Sequence, residues 1–143
     1  MFASLLNRLT QTDPQPLEQD DARLALSALL VRIARTDGTY SAEEIALIDE
    51  ICATRFGLSG PDTAKLRKEA EILETEAPDT VRFTRAIKDA VPYEDRIGVV
   101  EALWTVVMAD GQRDAAENAL MRMVAPMLGV SDQDSARARQ RVS

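Results

Sequence analysis

Hydrophobic residues recur every three or four positions along most of this chain, which is the period of an α-helix. Between Asp21 and Arg35, two neighbouring stripes of apolar side chains form a wider apolar arc than a surface helix needs. The stretch from about Tyr93 to Ala109 carries a similarly wide arc. No stretch shows the two-residue alternation typical of strands. We therefore predict an all-α protein whose two wide-arc helices pack together in the centre.

Turn and capping residues divide this pattern into seven helical segments. Gly38 can supply the left-handed turn that ends the first segment, which begins at Asp21. Ser41 and Glu44 form a capping-box pattern that starts the second segment, which ends at Gly57. The other segments are predicted from Ser59 to about Ala77, from Asp79 to Val91, from Pro92 to Ala109, from Asp114 to Leu128 and from Ser131 onward.

The first 20 residues are predicted to form a short terminal helix and a linker, followed by one helical domain over residues 21–143. The run from Met1 to Leu9 is amphipathic but too short for a membrane span or a signal peptide. Pro14 and Pro16 interrupt the residues that follow. Packing of this helix on the protein's own core is favoured, and peripheral membrane association is the alternative.

The composition of the chain argues against some classes of protein function and indicates a cellular location. Seventeen Lys and Arg against 24 Asp and Glu give a net charge of −7, which disfavours binding to nucleic acid. Cys52 is the single cysteine, so no disulfide can form within the chain, and a reducing, cytoplasmic location is expected. Its apolar neighbours Ile48, Ile51 and Phe56 predict a buried, unreactive thiol.

The sequence contains no histidine. This excludes Ser-His-Asp and Cys-His catalysis and every histidine-ligated metal site in these residues. A metal would therefore be held by oxygen atoms, which indicates calcium, magnesium or manganese. We expect no enzymatic activity, no catalytic residue and no organic cofactor, and metal-dependent phosphoester hydrolysis is the minor alternative.

Two parts of the chain, offset by 73 residues, repeat the same pattern. The repeat covers about 38 residues in each half, with one deletion before its end. It predicts two helix-turn-helix units that pack around a pseudo-two-fold axis. The offset aligns Asp37 with Asp110, Gly38 with Gly111, Glu44 with Glu117, Leu47 with Leu120, Leu24 with Ile97, Leu30 with Leu103 and Arg23 with Arg96.

Both repeats contain Asp-Gly followed, after five residues, by Glu. A carboxylate at a helix carboxy terminus is disfavoured by about 0.3 to 1 kcal/mol, and a bound cation would reverse that penalty. Asp37, Glu44, Asp110 and Glu117 are therefore candidate metal ligands. The preceding residues lack the alternating ligands of an EF-hand. The alternative is that the aspartates are ordinary turn residues and the glutamates only cap helices.

The paired motifs resemble those of the TerB-like tellurite-resistance family, over about residues 21–129. The resemblance implies a compact bundle of about seven helices in which Asp37, Glu44, Asp110 and Glu117 are the matching acidic residues. It also implies a non-enzymatic, stress-associated module with a protein partner, since the family also occurs beside J-domains in co-chaperones. The motifs read Arg35-Thr-Asp-Gly-Thr-Tyr-Ser-Ala-Glu-Glu44 and Met108-Ala-Asp-Gly-Gln-Arg-Asp-Ala-Ala-Glu117.

Overall fold

A computed structural model describes residues 19–36, 40–76, 80–109 and 115–142. These ranges contain seven α-helices and no strand, which confirms the predicted all-α class. The predicted terminal helix and most of its linker lie outside the described residues, so the predicted domain boundary stays a prediction. The helices are α1 (Gln19–Arg35), α2 (Ala42–Phe56), α3 (Gly60–Glu76), α4 (Thr80–Ala90), α5 (Tyr93–Met108), α6 (Ala115–Met127) and α7 (Asp132–Val142).

Local signals set the ends of α2 as the sequence predicts. The Ser41 hydroxyl accepts a hydrogen bond from the amide of Glu44, and the Glu44 carboxylate accepts one from the amide of Ser41. At the other end Gly57 adopts φ = 65°, a left-handed conformation that costs glycine little. The amide of Gly57 then bonds to the carbonyl of Ala53. The capping box and the glycine stop are therefore both confirmed.

The two wide-arc helices, α1 and α5, pack together at the centre of the bundle. Every residue from Leu24 to Ala34 is buried except Arg32, so α1 buries nearly its whole circumference. It contacts α2, α3, α4 and α5. Helix α5 contacts α1, α2, α4, α6 and α7. Burial on all sides explains why the apolar arcs of both helices are wider than a surface helix requires.

Outer helices add large side chains to one continuous core. Leu73 of α3, Phe83 of α4 and Met121 of α6 are fully buried. Within this core the indole Nε1 of Trp104 donates a hydrogen bond to the hydroxyl oxygen of Ser135 at 3.1 Å. No helix in the described ranges is long and apolar enough to cross a bilayer.

Several features recur between the α1–α3 half and the α5–α7 half. Gly57 and Gly129 both have positive φ, 65° and 74°, after α2 and α6. The hydroxyls of Ser59 and Ser131 accept hydrogen bonds from the amides three residues later, at 3.3 and 3.1 Å. Helix α3 packs on α1 as α7 packs on α5. These features agree with the predicted duplication, which itself stays a prediction.

Candidate metal site

The structure describes one of the four predicted ligand side chains, that of Glu44. Glu117 lies on α6, but its side chain is outside the described residues, as are Asp37 and Asp110. Among the described residues, no cluster of three or more acidic or cysteine side chains is close enough to hold a metal ion. The four-carboxylate site therefore stays a prediction.

Glu44 is buried, with 7% of its surface exposed, in the first turn of α2. Its Oε1 atom accepts hydrogen bonds from the amide of Ser41 at 3.2 Å and from the hydroxyl of Ser41 at 3.1 Å. No described residue donates a hydrogen bond to Oε2 of Glu44. One carboxylate oxygen of Glu44 thus stabilises the helix cap.

A cavity of about 400 Å³ lies beside this cap. Glu43, Glu44 and Glu50 of α2 line it, together with Ala109 at the carboxy-terminal end of α5. The end of the first motif therefore shares a cavity with the residue that immediately precedes Asp110. The donor atoms here are carboxylate oxygens, which suit calcium, magnesium or manganese and not a soft metal.

A network of charged groups flanks the first Asp-Gly turn on both sides. Before the turn, Arg32 and Arg35 of α1 share the carboxylate of Glu74, with N–O distances of 3.1 and 2.7 Å. After the turn, the hydroxyl of Tyr40 donates to Oε2 of Glu71 at 2.6 Å. Arg35 also stacks on the Tyr40 ring, 4.8 Å from its centroid. Arg35 and Tyr40, which lie on either side of the first Asp-Gly motif in the sequence, therefore both bond to α3.

The same network continues into α2 through Arg67. Its Nε donates to Oδ1 of Asp49 at 2.7 Å, and its Nη1 donates to Oε2 of Glu71 at 3.1 Å. Burial, followed by the hydrogen bond to Glu71, raises the pKa of the Tyr40 hydroxyl well above its ordinary value. Tyr40 therefore remains a neutral donor at physiological pH.

Sequence reasoning missed Tyr40, Glu71, Glu74 and Arg67. The Tyr40–Glu71 and Arg35–Glu74 partners are 31 and 39 residues apart in the chain. No spacing rule for a single helix applies at that separation. The signal available in the sequence is only the presence of charged residues on a predicted surface helix.

Cys52 takes no part in this site. It is 1% exposed, and its Sγ lies 3.4 Å from Oγ of Ser27. Burial is the main cause of its raised pKa. The expected burial of this thiol is confirmed.

Comparison with known proteins supplies the family. No curated protein and no solved structure matches the chain. The sequence profile of a family described as "Tellurite resistance protein TerB" matches residues 23–140, which span α1 to α7 almost completely. This agrees with the resemblance seen in the paired Asp-Gly motifs. The chain belongs to the TerB tellurite resistance protein family.

Proposed function

We propose that this protein is a non-enzymatic, stress-associated adaptor of the cytoplasm that binds a divalent cation through Asp37, Glu44, Asp110 and Glu117. Membership of the TerB family supports a function related to tellurite resistance. The lack of histidine supports a cation held only by oxygen. In this proposal the adaptor also binds a protein partner.

The observation that carries this proposal is the cavity shared by Glu44 and Ala109. Because Asp110 follows Ala109 directly in the chain, the cavity is where we expect the second motif to meet the first. Glu43 and Glu50 add further carboxylates to the lining. Acidic groups from two motifs would repel one another without a cation, so a divalent ion would stabilise the folded protein.

Glu44 can serve the cap and the cation together. Its Oε1 atom is bonded to Ser41, while no described residue donates to Oε2. A cation bound to Oε2 would leave both cap hydrogen bonds in place. The proposal therefore requires no rearrangement of the first turn of α2.

Thermal unfolding in the presence of calcium, magnesium or manganese tests the proposal. At a hundredfold excess of free cation over the dissociation constant, linkage gives about 2.7 kcal/mol of stabilisation. For a domain of this size the melting temperature should rise by roughly 5 to 11 °C. Ionic strength is matched with a monovalent salt, because general screening also stabilises an acidic protein.

Two variants separate a cation site from a helix cap. The Asp37→Asn, Asp110→Asn double variant preserves the turn shape and removes two charges, so it should lose the cation-dependent shift. Glu44→Gln retains an oxygen for the cap, so it should keep the stability of the metal-free protein and lose the shift. An identical response of all three proteins to the cation would refute metal binding by the motifs.

The alternative is a structural protein-interaction module, similar to a co-chaperone domain, in which the motifs only cap helices. The complete capping box of Ser41 and Glu44 favours this reading for one motif. It predicts no selective response to any divalent cation. Metal-dependent turnover of a generic phosphoester, lost in the double variant, would instead establish an enzyme.

A further inference from the structure

A groove of about 370 Å³ runs along the surface between α2 and α5, and we call it the α2–α5 groove. Each helix contributes three floor residues that recur at helical spacing and so lie on one face of the helix. The α5 residues are small, which keeps the groove open. The floor residues are Leu47, Ile51 and Thr54 on α2 and Gly98, Ala102 and Thr105 on α5.

The floor of the α2–α5 groove is mainly apolar, and its two edges are acidic. Leu47 and Ile51 are only partly buried against the core. Glu50 of α2 and Glu101 of α5 both line the groove. Glu101 pairs with Arg141 at 2.7 Å, whereas Glu50 is exposed and forms no ion pair with a described residue. The surface therefore suits an apolar segment that carries a cation at its edge.

One end of the α2–α5 groove lies beside the start of α1. Arg55 lines this end, and its Nη2 donates to the carbonyl of Asp95 at 3.1 Å. A β-carbon at Gly98 would lie 3.1 Å from Nη1 and Nη2 of Arg55, so glycine there lets the guanidinium lie against α5. Arg55 also lines a neighbouring pocket together with Ala22, near the start of α1. The chain that precedes α1 thus enters the bundle next to the groove.

The sequence before α1 contains an apolar pattern that matches this surface. Phe2, Leu5, Leu6 and Leu9 occupy positions i, i+3, i+4 and i+7, the spacing with which a helix presents apolar anchors to a groove. Arg8 comes three residues after Leu5, which places it at the edge of that apolar face in a helix. The pattern therefore complements an apolar floor with an acidic edge.

The connection to α1 is long enough for this segment to reach the groove. Nine residues, 10–18, lie between Leu9 and the start of α1 at Gln19, and an extended chain of that length reaches about 30 Å. The groove floor from Gly98 to Thr105 is about 10 Å long, and a helix of residues 1–9 would be about 13 Å long. The segment thus has the length of the surface as well as its chemistry.

We propose that residues 1–9 dock as an amphipathic helix in the α2–α5 groove, with their apolar face on its floor and Arg8 beside Glu50. A helix of this length is marginal in water on its own, so burial of its apolar face in the groove supplies its stability. The inference assigns a surface to the predicted terminal helix. It is independent of the proposed cation site.

Disulfide formation within the full-length chain tests the position of the segment. Leu5→Cys is combined with Thr54→Cys, an exposed position in the groove. The control combines Leu5→Cys with Asp89→Cys, an exposed position of α4 two residues before Val91, which lines the same pocket as Ala22. The control site is thus close to the start of α1 but outside the groove. Under mild oxidation we expect the groove pair to form its disulfide at least about tenfold faster.

The native thiol of Cys52 can stay in place because it is 1% exposed. Leu5→Cys alone is the control for any disulfide with Cys52. Both partner positions are exposed, so neither cysteine should unfold the protein.

Charge reversal tests the contact between Arg8 and Glu50. In the groove pair, Glu50→Lys should slow disulfide formation about threefold, and adding Arg8→Glu should restore the rate. Glu76→Lys makes the same charge change at an exposed residue at the end of α3 and should leave the rate unchanged. Glu50 also lines the cavity beside Glu44, so these rates are measured with a chelator present.

Equal rates for the Thr54→Cys and Asp89→Cys pairs, or equal effects of Glu50→Lys and Glu76→Lys, would overturn the proposal. Disulfide-linked dimers in place of the intramolecular disulfide would overturn it in favour of a second copy of the chain. Protection of the Leu5→Cys thiol by phosphatidylglycerol vesicles, without the intramolecular disulfide, would overturn it in favour of a membrane. Leu5→Cys alone should leave the cation-dependent shift in melting temperature unchanged, so docking and cation binding are tested separately.

Discussion

Tyr40 and Glu71, which lie 31 residues apart in the chain, are joined by a 2.6 Å hydrogen bond from the phenol to the carboxylate. The same Oε2 atom of Glu71 accepts a bond from Arg67, which in turn pairs with Asp49. One continuous polar network thus connects the residue after the first Asp-Gly turn to α3 and then to α2.

Replacing Tyr40 with Phe should lower the free energy of unfolding by about 1 to 2 kcal/mol, because the hydrogen bond to an ionised carboxylate is lost while the ring is retained. Urea unfolding followed by circular dichroism measures this change. Tyr93 provides the matched control: its hydroxyl also bonds to a carboxylate, that of Asp134, but on the exposed surface. Tyr93→Phe should therefore lower the free energy of unfolding by less than Tyr40→Phe does. Equal decreases would contradict a role for burial in the strength of the Tyr40 hydrogen bond.

The Tyr40 hydroxyl also predicts how stability responds to alkaline pH. The pKa of this hydroxyl is raised in the folded protein above its ordinary value of 10.0. At a pH between the ordinary pKa and the raised pKa, the unfolded chain releases a proton that the folded chain keeps. Stability therefore falls as pH rises above about 10. The stability advantage of the wild type over Tyr40→Phe should shrink in that range and remain constant between pH 7 and 9. A constant advantage at all pH values would be inconsistent with this origin.

Glu74→Gln should destabilise the protein by about 2 kcal/mol, because Arg32 and Arg35 would lose the charged partner that they share at the end of α1. The Glu74 side chain is only 14% exposed, so solvent compensates poorly for the loss. The melting temperature should fall by roughly 4 to 8 °C. Arg137→Gln is the control for loss of an exposed ion pair and should leave the melting temperature unchanged.

The two left-handed glycines should differ in their tolerance of a side chain. Gly57→Ala should lower the free energy of unfolding by about 1 to 2 kcal/mol through backbone strain alone, since nothing lies within 4 Å of the added methyl group. At Gly129 the methyl group would lie 2.8 Å from Nη1 of Arg96, which donates to the carbonyl of Leu128. Gly129→Ala should therefore be more destabilising by about 1 kcal/mol or more. Denaturant unfolding of both variants measures the difference, and equal costs would show that Arg96 moves aside freely.

Cys52 should react with a disulfide reagent only when the protein opens. The thiol is fully buried, and its raised pKa lowers the fraction of thiolate. At neutral pH we expect labelling to be at least about a hundredfold slower in the native protein than in denaturant. The rate should rise in variants that destabilise the fold, such as Glu74→Gln. Rapid labelling of the native wild type would contradict this burial.

The sequence predicted the fold well because the features that set helices are local. Helical periodicity spans three or four residues, the Ser41–Glu44 capping box spans four, and the stop at Gly57 needs one glycine. The wide apolar arcs of α1 and α5 also identified the central helices, since burial on all sides requires apolar residues on all sides. The family followed from the paired Asp-Gly motifs and is confirmed by the profile match.

Only the tertiary structure decided which distant groups meet. The pairing of Arg35 with Glu74 and of Tyr40 with Glu71 depends on how α3 crosses α1, and helical periodicity does not specify that crossing. The cavity that joins Glu44 to Ala109 likewise exists because α2 packs against α5. The interaction energy of a charged group depends on the partners and the solvent that packing places around it. The pattern of residues along the sequence specifies neither.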